Sequence, residues 1–380
     1  MKIVATVNAA WNLVNFRMGV LRALIAQGDE VVAIAPEDAG SRARLAEAGI
    51  RLAALPMDSA GLSPARDLAL LAGFRSLLAR ERPAAMLGYT IKPNVYGSLA
   101  ARSLGIPTLN NISGLGTGFM REGLLNRVVR GLYRVGLNGA HTVFFQNEDD
   151  RAQFVALRLV RPQQTVLLPG SGIDLDRFAA APPNDPSGDD PAYPLRFLLV
   201  ARMLWDKGVG EYVEAARMVK ADYPHVRFGL LGGLGAENRT AIPAATVEQW
   251  VREGVVDYHP AVDDVRRPMA GADVIVLPSY REGTSRVLLE ASALGRPMIT
   301  TDVPGCRDVV EDGVAGLLAR VKDAGSLADA MRRMIRLAPA ARHAMGRSAR
   351  ARVERDYAEQ RVIDIYLERI GMAVGSRAVS

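Results

Sequence analysis

Residues 274–300 read VIVLPSYREGTSRVLLEASALGRPMIT, and their pattern decides the fold class. Val274–Leu277 and Met298–Thr300 are short uncharged runs of strand length, and Ser285–Leu294 between them carries apolar residues at helical spacing. Apolar runs that do not alternate with polar residues are typical of strands buried on both faces of a parallel sheet. Since parallel strands need a long crossover, usually a helix, the stretch predicts a βαβ unit.

The same alternation extends over the rest of the chain. In the second half we predict further strands at Phe197–Val200, Phe228–Leu231 and Val255–Tyr258, with helices at Gly208–Lys220 and Ser326–Leu337. In the first half we predict strands at Ile3–Val7, Val31–Ala35, Ala85–Gly88, Pro107–Asn110, Val143–Gln146 and Val166–Pro169, with helices at Phe16–Ala26, Ser63–Arg80 and Gly123–Leu137. Two such series predict two doubly wound, Rossmann-like α/β domains in tandem.

A stretch rich in proline, aspartate and glycine, AAAPPNDPSGDDPAYPL, separates the two series. Such a composition predicts a linker, so we expect an N-terminal domain at 1–177, a linker at 178–195 and a C-terminal domain at 196–356. The predicted helix in 357–380 either completes the second domain or crosses back to the first. Ligands of open α/β sheets bind beyond the carboxyl ends of the strands, so we expect the site on the loops there, in a cleft between the domains.

Composition excludes several classes of protein. With 49% hydrophobic and 23% charged residues among 380, the chain is neither disordered nor a coiled coil. No apolar stretch approaches the roughly 18 residues of a membrane-spanning helix, and the run after Lys2 is too short for a signal peptide, so we expect a cytoplasmic protein. One cysteine, Cys306, and four scattered histidines give no metal-ligand spacing, and Asp174 and Asp176 form a weak carboxylate pair beside the linker. We therefore expect no metal.

The positive charge is concentrated in the first half. Residues 1–181 contain 20 Lys and Arg against 14 Asp and Glu, whereas residues 182–380 contain 27 of each, so the first half carries the whole net charge of +6. Such an excess suits nucleic acid, anionic lipid or a phosphorylated ligand, and it also fits a simple solvated surface.

One predicted helix of the first half is amphipathic and basic. Arg127, Arg130 and Arg134 follow the spacing i, i+3 and i+7, which predicts one common helix face. The pattern fits a helix that lies at a lipid surface, and equally a core helix with an arginine-rich outer face.

Two loops of the second half carry candidate chemistry. In the first, Gly283, Thr284 and Ser285 open a helix, where free backbone N–H groups and the helix dipole favour an anion; the alternative is an ordinary capped helix. The neighbouring carboxylates Glu282 and Glu290 suit paired sugar hydroxyls.

The second loop follows Phe197–Val200 and contains Arg202 and Lys207, two cations that can bind a diphosphate. The alternative is surface ion pairs with Asp206 or Glu211.

At these residues the chain resembles a known family. The E-x7-E pattern of Glu282 and Glu290, with VARMLWDKG upstream, is similar to the retaining glycosyltransferases of family 4, which have the GT-B fold. The first half contributes NFR at 15–17, TIKPNVYG at 90–97, NNISGLG at 110–116 and LPGSGID at 168–174. These motifs resemble the bacterial subgroup that adds N-acetylgalactosamine or a related hexose to an undecaprenyl-diphosphate-linked sugar.

The resemblance implies roles for individual residues. Arg202 and Lys207 would neutralise the departing nucleotide diphosphate, Glu290 would hold the ribose, and Glu282 with Gly283, Thr284 and Ser285 would contact the donor sugar. It also assigns Asn15 to the donor side, and it assigns to the acceptor side Arg17, Thr90, Lys92, Asn94, Asn111 and Ser113. Many relatives place a histidine near the reacting sugar, but His141 precedes a strand, so Asn111, Ser113 or Thr90 is expected to take that place.

The resemblance, together with the positive charge of the first half, implies a peripheral membrane transferase at the inner face of the cell membrane. It would use a UDP-sugar donor, a lipid-diphosphate-linked saccharide acceptor and an anionic membrane surface, and it would need no cofactor and no nucleic acid. The alternatives are a nucleotide-sugar epimerase of the same architecture and a non-catalytic nucleotide-sugar-binding subunit.

Overall fold

The computed structural model describes residues 1–58, 63–115, 123–184, 194–236 and 238–375. The chain divides into two compact units, the first formed by Met1–Ser171 with Glu359–Ser380 and the second by Gly172–Ala358. Each unit is built on one parallel β-sheet, which confirms the predicted α/β class with two doubly wound sheets.

The first unit has a seven-stranded sheet in the order β3-β2-β1-β4-β5-β6-β7. Its strands are β1 (Lys2–Thr6), β2 (Glu30–Ala35), β3 (Arg51–Ala54), β4 (Ala85–Tyr89), β5 (Thr108–Ile112), β6 (Thr142–Phe145) and β7 (Thr165–Leu167). Its α-helices, numbered in chain order, are α1 (Ala10–Phe16), α2 (Met18–Ala26), α3 (Ala39–Glu47), α4 (Pro64–Glu81), α5 (Ser98–Arg102), α6 (Leu124–Leu137), α7 (Glu148–Ala156) and α14 (Glu359–Gly375). A π-helical turn covers Pro93–Gly97, and a 3-10 turn covers Pro162–Gln164.

Both faces of this sheet are buried, which explains its continuous apolar strands. Ile3 and Ala5 of β1 pack on one face in the same core cluster as Leu24 of α2, whereas Val4 packs on the other face with Phe74 of α4. Successive strand residues point to opposite faces, so every position of β1 between these layers has to be apolar.

The last helix, α14, belongs to the first unit. Val362, Tyr366 and Ile370 lie on one side of the helix and are buried in the same core cluster as β1 and β2. The Tyr366 hydroxyl also accepts a hydrogen bond of 2.9 Å from Asn111 Nδ2 of β5. Of the two alternatives left by the sequence, the structure shows the return to the first unit.

The second unit has a six-stranded sheet in the order β10-β9-β8-β11-β12-β13. Its strands are β8 (Arg196–Val200), β9 (Arg227–Leu231), β10 (Asp257–His259), β11 (Val274–Leu277), β12 (Met298–Thr301) and β13 (Gly316–Ala319). Its helices are α8 (Val209–Asp222), α9 (Ala244–Arg252), α10 (Arg266–Ala270), α11 (Arg286–Ala293), α12 (Ala324–Arg336) and α13 (Pro339–Asp356), with a 3-10 turn at Trp205–Lys207.

The boundary between the units lies at Ser171 and not at residue 177. Ile173 and Phe178 are the physical reason, because both are buried in the core of the second unit. Arg350 of α13 fixes the same segment by donating a hydrogen bond of 2.6 Å to the Phe178 carbonyl. Residues 185–193 of the predicted linker lie outside the described residues.

Two short edge strands were not predicted, and one helix begins later than predicted. Arg51–Ala54 and Gly316–Ala319 are four residues long and lie at the edges of their sheets. The helix predicted at Phe16–Ala26 corresponds to α2, which begins two residues later at Met18 because Arg17 before it leaves the helical conformation with φ −132°.

The packing of α14 predicts that the last helix is needed for the stability of the first unit. Tyr366→Ala removes a fully buried aromatic ring, so it should destabilise this unit by about 3–5 kcal/mol. Hydrogen exchange should show lost protection in β1 and β4 and unchanged protection in β8 and β11. Met372→Ala, at an exposed position of the same helix, is the control and should leave both sheets protected. Equal protection in the two variants would contradict this packing.

Candidate active site

The loop at Ser279–Ser285 connects β11 to α11 at the carboxyl edge of the second sheet. Its backbone is held by a neighbouring loop, because Glu282 N–H donates to the Pro304 carbonyl at 3.2 Å and Ser285 N–H donates to the Gly305 carbonyl at 3.0 Å. Gly305 has φ +76°, and a side chain there would lie 2.5 Å from the Glu282 carbonyl oxygen. Only glycine therefore permits this close approach without displacement of the loop.

The loop after β8 meets this first loop through an ion pair. Lys207 Nζ lies 2.5 Å from Glu282 Oε1, and the two side chains are only 24% and 15% exposed. The sequence predicted both residues as site residues, and the structure brings them into direct contact. The predicted alternative pairs of Lys207 with Asp206 or Glu211 are not formed among the described residues.

Backbone contacts hold the two loops together beside the ion pair. Tyr280 N–H donates to the Asp206 carbonyl at 2.9 Å. Gly208, with φ +72°, directly follows Lys207 and packs so closely on the Pro278 carbonyl that a Cβ atom would overlap it. The Tyr280 hydroxyl donates to Glu211 Oε1 at 2.7 Å and fixes the loop from its other side. Motif spacing gave no signal for Tyr280.

Arg202 follows β8 at the same edge of the sheet and is exposed. It takes part in none of the ion pairs found among the described residues. This edge therefore combines one exposed guanidinium with one ammonium group that a carboxylate holds in place.

Glu290 lies in α11, and one of its carboxylate oxygens accepts a hydrogen bond from an arginine that was not predicted as a site residue. Arg286 Nε donates to Glu290 Oε1 at 2.9 Å, and Arg286 Nη1 donates to the Gly172 carbonyl at 2.6 Å. Burial raises the pKa of Glu290 above its ordinary value of 4.5, although Arg286 counteracts this effect. An i, i+4 spacing on a helix is the sequence signal that could have identified Arg286.

The amide of Ser285 corrects one expectation. The sequence suggested three free N–H groups at Gly283, Thr284 and Ser285, but Ser285 N–H is bonded to Gly305. Ser285 instead caps α11, since its hydroxyl accepts from Leu288 N–H at 3.4 Å.

In the first unit, three acceptor-side candidates gather at the carboxyl edge of the sheet. Asn94 Nδ2 donates to the Asn111 carbonyl at 2.9 Å, and both asparagines are buried. Thr90 follows β4 and has a left-handed backbone with φ +67°. This conformation is rare and strained for a β-branched residue. Its hydroxyl accepts a hydrogen bond of 3.3 Å from Asn8 N–H, which joins the loops after β1 and β4.

Other predicted residues are engaged elsewhere in this unit. Asn15 Nδ2 donates to the Trp11 carbonyl within α1. Lys92 forms a 3.0 Å ion pair with the buried Asp67 of α4, so its charge is already compensated. Ser113 is exposed. His141 lies beside the Thr142 hydroxyl, and burial lowers its pKa.

The basic helix α6 presents two of its three arginines to solvent. Arg127 and Arg134 are exposed, whereas Arg130 between them is half-buried. Val128 and Val135, which follow Arg127 and Arg134 in the sequence, are also exposed, by 41% and 51%. Among the residues that the structure describes, every helix is too short or too polar to span a lipid bilayer.

The Asp174 carboxylate accepts hydrogen bonds from Asp176 N–H at 3.1 Å and Arg177 N–H at 2.9 Å. It therefore stabilises a local turn. Within the part of the chain that the structure describes, no three His, Cys, Asp or Glu side chains form a group that could hold a metal ion.

Comparison with known families decides the identity. Residues 15–170 match the family described as glycosyl transferase 4-like domain, and residues 194–336 match the one described as glycosyl transferases group 1. This chain belongs to the family 4 glycosyltransferases. The resemblance read from the sequence is thereby confirmed, and the transferase is an enzyme.

Relatives similar along most of their length include bacterial enzymes of glycan assembly. The N,N'-diacetylbacillosaminyl-diphospho-undecaprenol alpha-1,3-N-acetylgalactosaminyltransferase of Campylobacter jejuni is 28% identical over 85% of this chain and 86% of that protein. The capsular polysaccharide biosynthesis glycosyltransferase CapM of Staphylococcus aureus is 24% identical over 78% of this chain and 80% of CapM.

Solved structures support the fold. The Anabaena protein HepE, crystallised with UDP and glucose, matches with a TM-score of 0.80 at 17% identity, over 98% of the transferase and 99% of HepE. The GT-B fold predicted from the sequence is confirmed.

The packing of Gly305 generates a test of the loop geometry. Gly305→Ala combines a left-handed backbone with overlap against the loop that carries Glu282, so it should reduce both transferase turnover and melting temperature. Gly313→Ala is a matched control, since Gly313 has φ +75° and open space around its Cβ position. It should cost only about 1–2 kcal/mol of backbone strain and keep normal turnover. Equal turnover in the two variants would show that Gly305 does not support the site.

Proposed function

We propose that the transferase moves a hexose or N-acetylhexosamine from a UDP-sugar to a polyprenyl-diphosphate-linked saccharide, with retention of configuration at the transferred sugar. The reaction would contribute to bacterial surface glycan assembly or to protein glycosylation. The proposal is supported by the activities stated in the names of the relatives and by the arrangement of charged side chains in each unit.

The observation that carries the proposal is the contact between Lys207 and Glu282 at the edge where Arg202 is exposed. A departing diphosphate needs fixed positive charge, and a sugar needs hydrogen-bond acceptors close to it. Preorganised cations lower the barrier because they are aimed at charge that develops in the transition state. A lysine held by a carboxylate, with an exposed arginine on the same edge, provides both kinds of group.

The proposed chemistry breaks the bond between the anomeric carbon and the diphosphate oxygen, and the diphosphate keeps the electron pair. Arg202 and Lys207 stabilise the developing negative charge. The acceptor hydroxyl attacks the same face of the anomeric carbon and passes its proton to a donor phosphate oxygen. Glu282 orients Lys207 and accepts a hydrogen bond from the sugar, so no protein nucleophile is required.

Glu290 would hold the ribose hydroxyls of the nucleotide. One carboxylate oxygen is oriented by Arg286, and the side chain is mostly buried, as expected for a group that positions a ligand. In its ionised form the carboxylate only accepts hydrogen bonds, which suits two adjacent hydroxyl donors.

We also propose that α6 brings the first unit to an anionic membrane surface. Arg127 and Arg134 supply charge, and Val128 and Val135 supply adjacent apolar contact area. A helix surface that combines basic and apolar side chains can lie in the lipid headgroup region. An acceptor anchored by a polyprenyl chain would be reached from such a position.

A transfer assay tests the function against its alternatives. UDP-hexoses are incubated with the protein in the presence and absence of a polyprenyl-diphosphate sugar. We expect a glycosylated acceptor, formed also in excess EDTA because the proposed mechanism uses no resident metal. An epimerised donor without acceptor would indicate an epimerase, and an unchanged donor would indicate a binding subunit.

The cation roles predict a defect in turnover. Arg202→Ala and Lys207→Ala should each lower kcat by about 10²-fold or more, as expected for loss of one preorganised donor, and should weaken UDP binding. Arg252→Ala, at an exposed position of α9, is the control for loss of one positive charge. If both site variants match this control under saturating donor, the proposed role of the cations is wrong.

The burial of Glu290 predicts a pH dependence. Because burial raises its pKa, the ionised form that accepts ribose hydrogen bonds is complete above that raised value and is lost as the pH falls through it. UDP affinity, measured by calorimetry from neutral to acidic pH, should therefore decline at a higher pH than an ordinary glutamate would give. Glu290→Gln should bind UDP weakly at every pH. A parallel decline in this variant would assign the effect to another group.

The membrane role of α6 predicts a loss of vesicle binding. The double variant Arg127→Glu, Arg134→Glu should lose about 2 kcal/mol or more of attraction to anionic vesicles, at about 1 kcal/mol per arginine. Arg22→Glu with Arg44→Glu reverses two other exposed charges of the same unit and should retain binding. Co-sedimentation at low salt distinguishes them, and equal binding of the two double variants would show that α6 is not the membrane contact.

A further inference from the structure

Arg17 is a buried cation without a carboxylate partner. It lies between α1 and α2 and is 6% exposed. Its guanidinium carbon stacks 4.8 Å from the centroid of the Tyr89 ring. Its Nη1 atom is buried and has no hydrogen-bond acceptor among the described residues, and none of their ion pairs includes Arg17. Buried arginines are rare unless they are paired, because desolvation of an isolated charge is costly.

Buried oxygen atoms without partners lie near the ends of neighbouring strands. They are Thr6 Oγ1 at the end of β1, Asn94 Oδ1 in the turn after β4 and Asn111 Oδ1 in β5. The strands β1, β4 and β5 are adjacent in the sheet. Each such buried group is expected to find a hydrogen-bond partner, and an unsatisfied one carries a substantial energetic cost.

These unpartnered groups indicate which chemical groups a ligand at this edge would need. Buried water can satisfy a hydroxyl or an amide oxygen, but it does not neutralise a guanidinium charge. An anionic oxygen would pair with Arg17, and sugar hydroxyls would donate to the asparagine oxygens. A sugar diphosphate carries both kinds of group on adjacent atoms.

The backbone beside Arg17 shows independent signs of functional constraint. Thr90, the residue after Tyr89, has the left-handed φ of +67°, and its carbonyl accepts a 3.1 Å hydrogen bond from Asn94 N–H. Strain of this kind persists where surrounding structure enforces it and is concentrated at ligand sites. The strained turn therefore joins the residue under the guanidinium to one of the asparagines with an unpartnered oxygen.

We propose that Arg17 binds a substrate diphosphate at the carboxyl edge of the first sheet. The inference rests on the proposed function, which supplies two sources of this group, the lipid-linked acceptor and the nucleotide sugar. The acceptor is the expected source, since Arg202 and Lys207 of the second unit already provide two cations for the nucleotide.

Two matched acceptors test the proposal. One is a short-chain diphosphate-linked saccharide, and the other is the same saccharide as a neutral alkyl glycoside. Arg17→Gln should lower kcat/KM for the diphosphate acceptor at least tenfold and leave kcat/KM for the neutral acceptor nearly unchanged. A residue that only supports the fold would affect both acceptors equally. Arg22→Gln, an exposed position of α2, is the control and should change neither value.

Binding measurements distinguish the two sources. Calorimetry with the diphosphate acceptor alone and with UDP alone reports each affinity without any transfer. Weaker acceptor binding with unchanged UDP binding supports the acceptor diphosphate, and the reverse result supports the nucleotide diphosphate. If Arg17→Gln changes neither affinity, or if it lowers transfer to both acceptors equally with unchanged affinities, the proposal is overturned.

A second variant keeps the test valid if Arg17→Gln does not fold. Arg17→Lys retains the charge but loses the planar guanidinium that matches phosphate oxygens. It should therefore lower kcat/KM for the diphosphate acceptor selectively, but by less than Arg17→Gln does. Because the affinities are measured without donor turnover, the outcome for Arg17 is separate from the outcome of the transfer assay. If the parent protein shows no transfer but binds the acceptor, and Arg17→Gln weakens that binding, the proposed function is refuted and the Arg17 site is still supported.

Discussion

The arrangement of the charged loops in the second unit depends on one interaction, the ion pair between Lys207 and Glu282. The two residues lie on loops after β8 and β11, neighbouring strands of one parallel sheet, so their side chains meet because the strands end at the same edge. The pair is mostly shielded from water, which strengthens the attraction but also adds a desolvation cost, so its contribution to stability is small. Its effect is positional, since it fixes an ammonium group at the edge of the sheet where Arg202 is exposed, before any ligand arrives.

Glycine makes this arrangement possible. Gly208 and Gly305 have positive φ angles and each contacts a backbone carbonyl of the opposing loop at a distance that excludes a side chain. Backbone hydrogen bonds from Tyr280 and Ser285 complete the contact between loops. The loops that carry the charged groups are therefore held by main-chain contacts from several directions. The lysine side chain is already ordered in the folded protein, so ligand binding has less conformational entropy to remove.

The sequence was most informative where one physical cause acts alone. Strands buried on both faces must be apolar throughout, so Val274–Leu277 was predicted with correct bounds and the other central strands to within two residues. The edge strands Arg51–Ala54 and Gly316–Ala319 were missed because they contain only one and two large apolar residues, so neither forms a continuous apolar run. The start of α2 was predicted two residues early because the apolar spacing of this helix extends back to Phe16.

The candidate site was predictable in part for similar reasons. The two loops of the second unit follow strands directly, so their order in the chain places Lys207 and Glu282 at one edge. Contacts between distant segments could not be inferred: the pairing of Lys92 with Asp67, the bond from Ser285 to Gly305 and the half-buried state of Arg130 depend on tertiary packing. None of these has a local sequence signature.

The first unit follows a different principle, in which burial of polar groups replaces exposed charge. Asn111 is held by Tyr366, a residue 255 positions away on the returning helix α14, so the last helix supports both the core and the polar edge. Arg17 and Asn94 remain buried beside it with atoms that no described residue satisfies. A protein of marginal stability retains such costs where they serve another purpose, and a polar ligand at this edge would offset them. The two units thus differ in how their polar edges are built: the second holds a preformed ion pair, and the first holds buried polar groups without partners among the described residues.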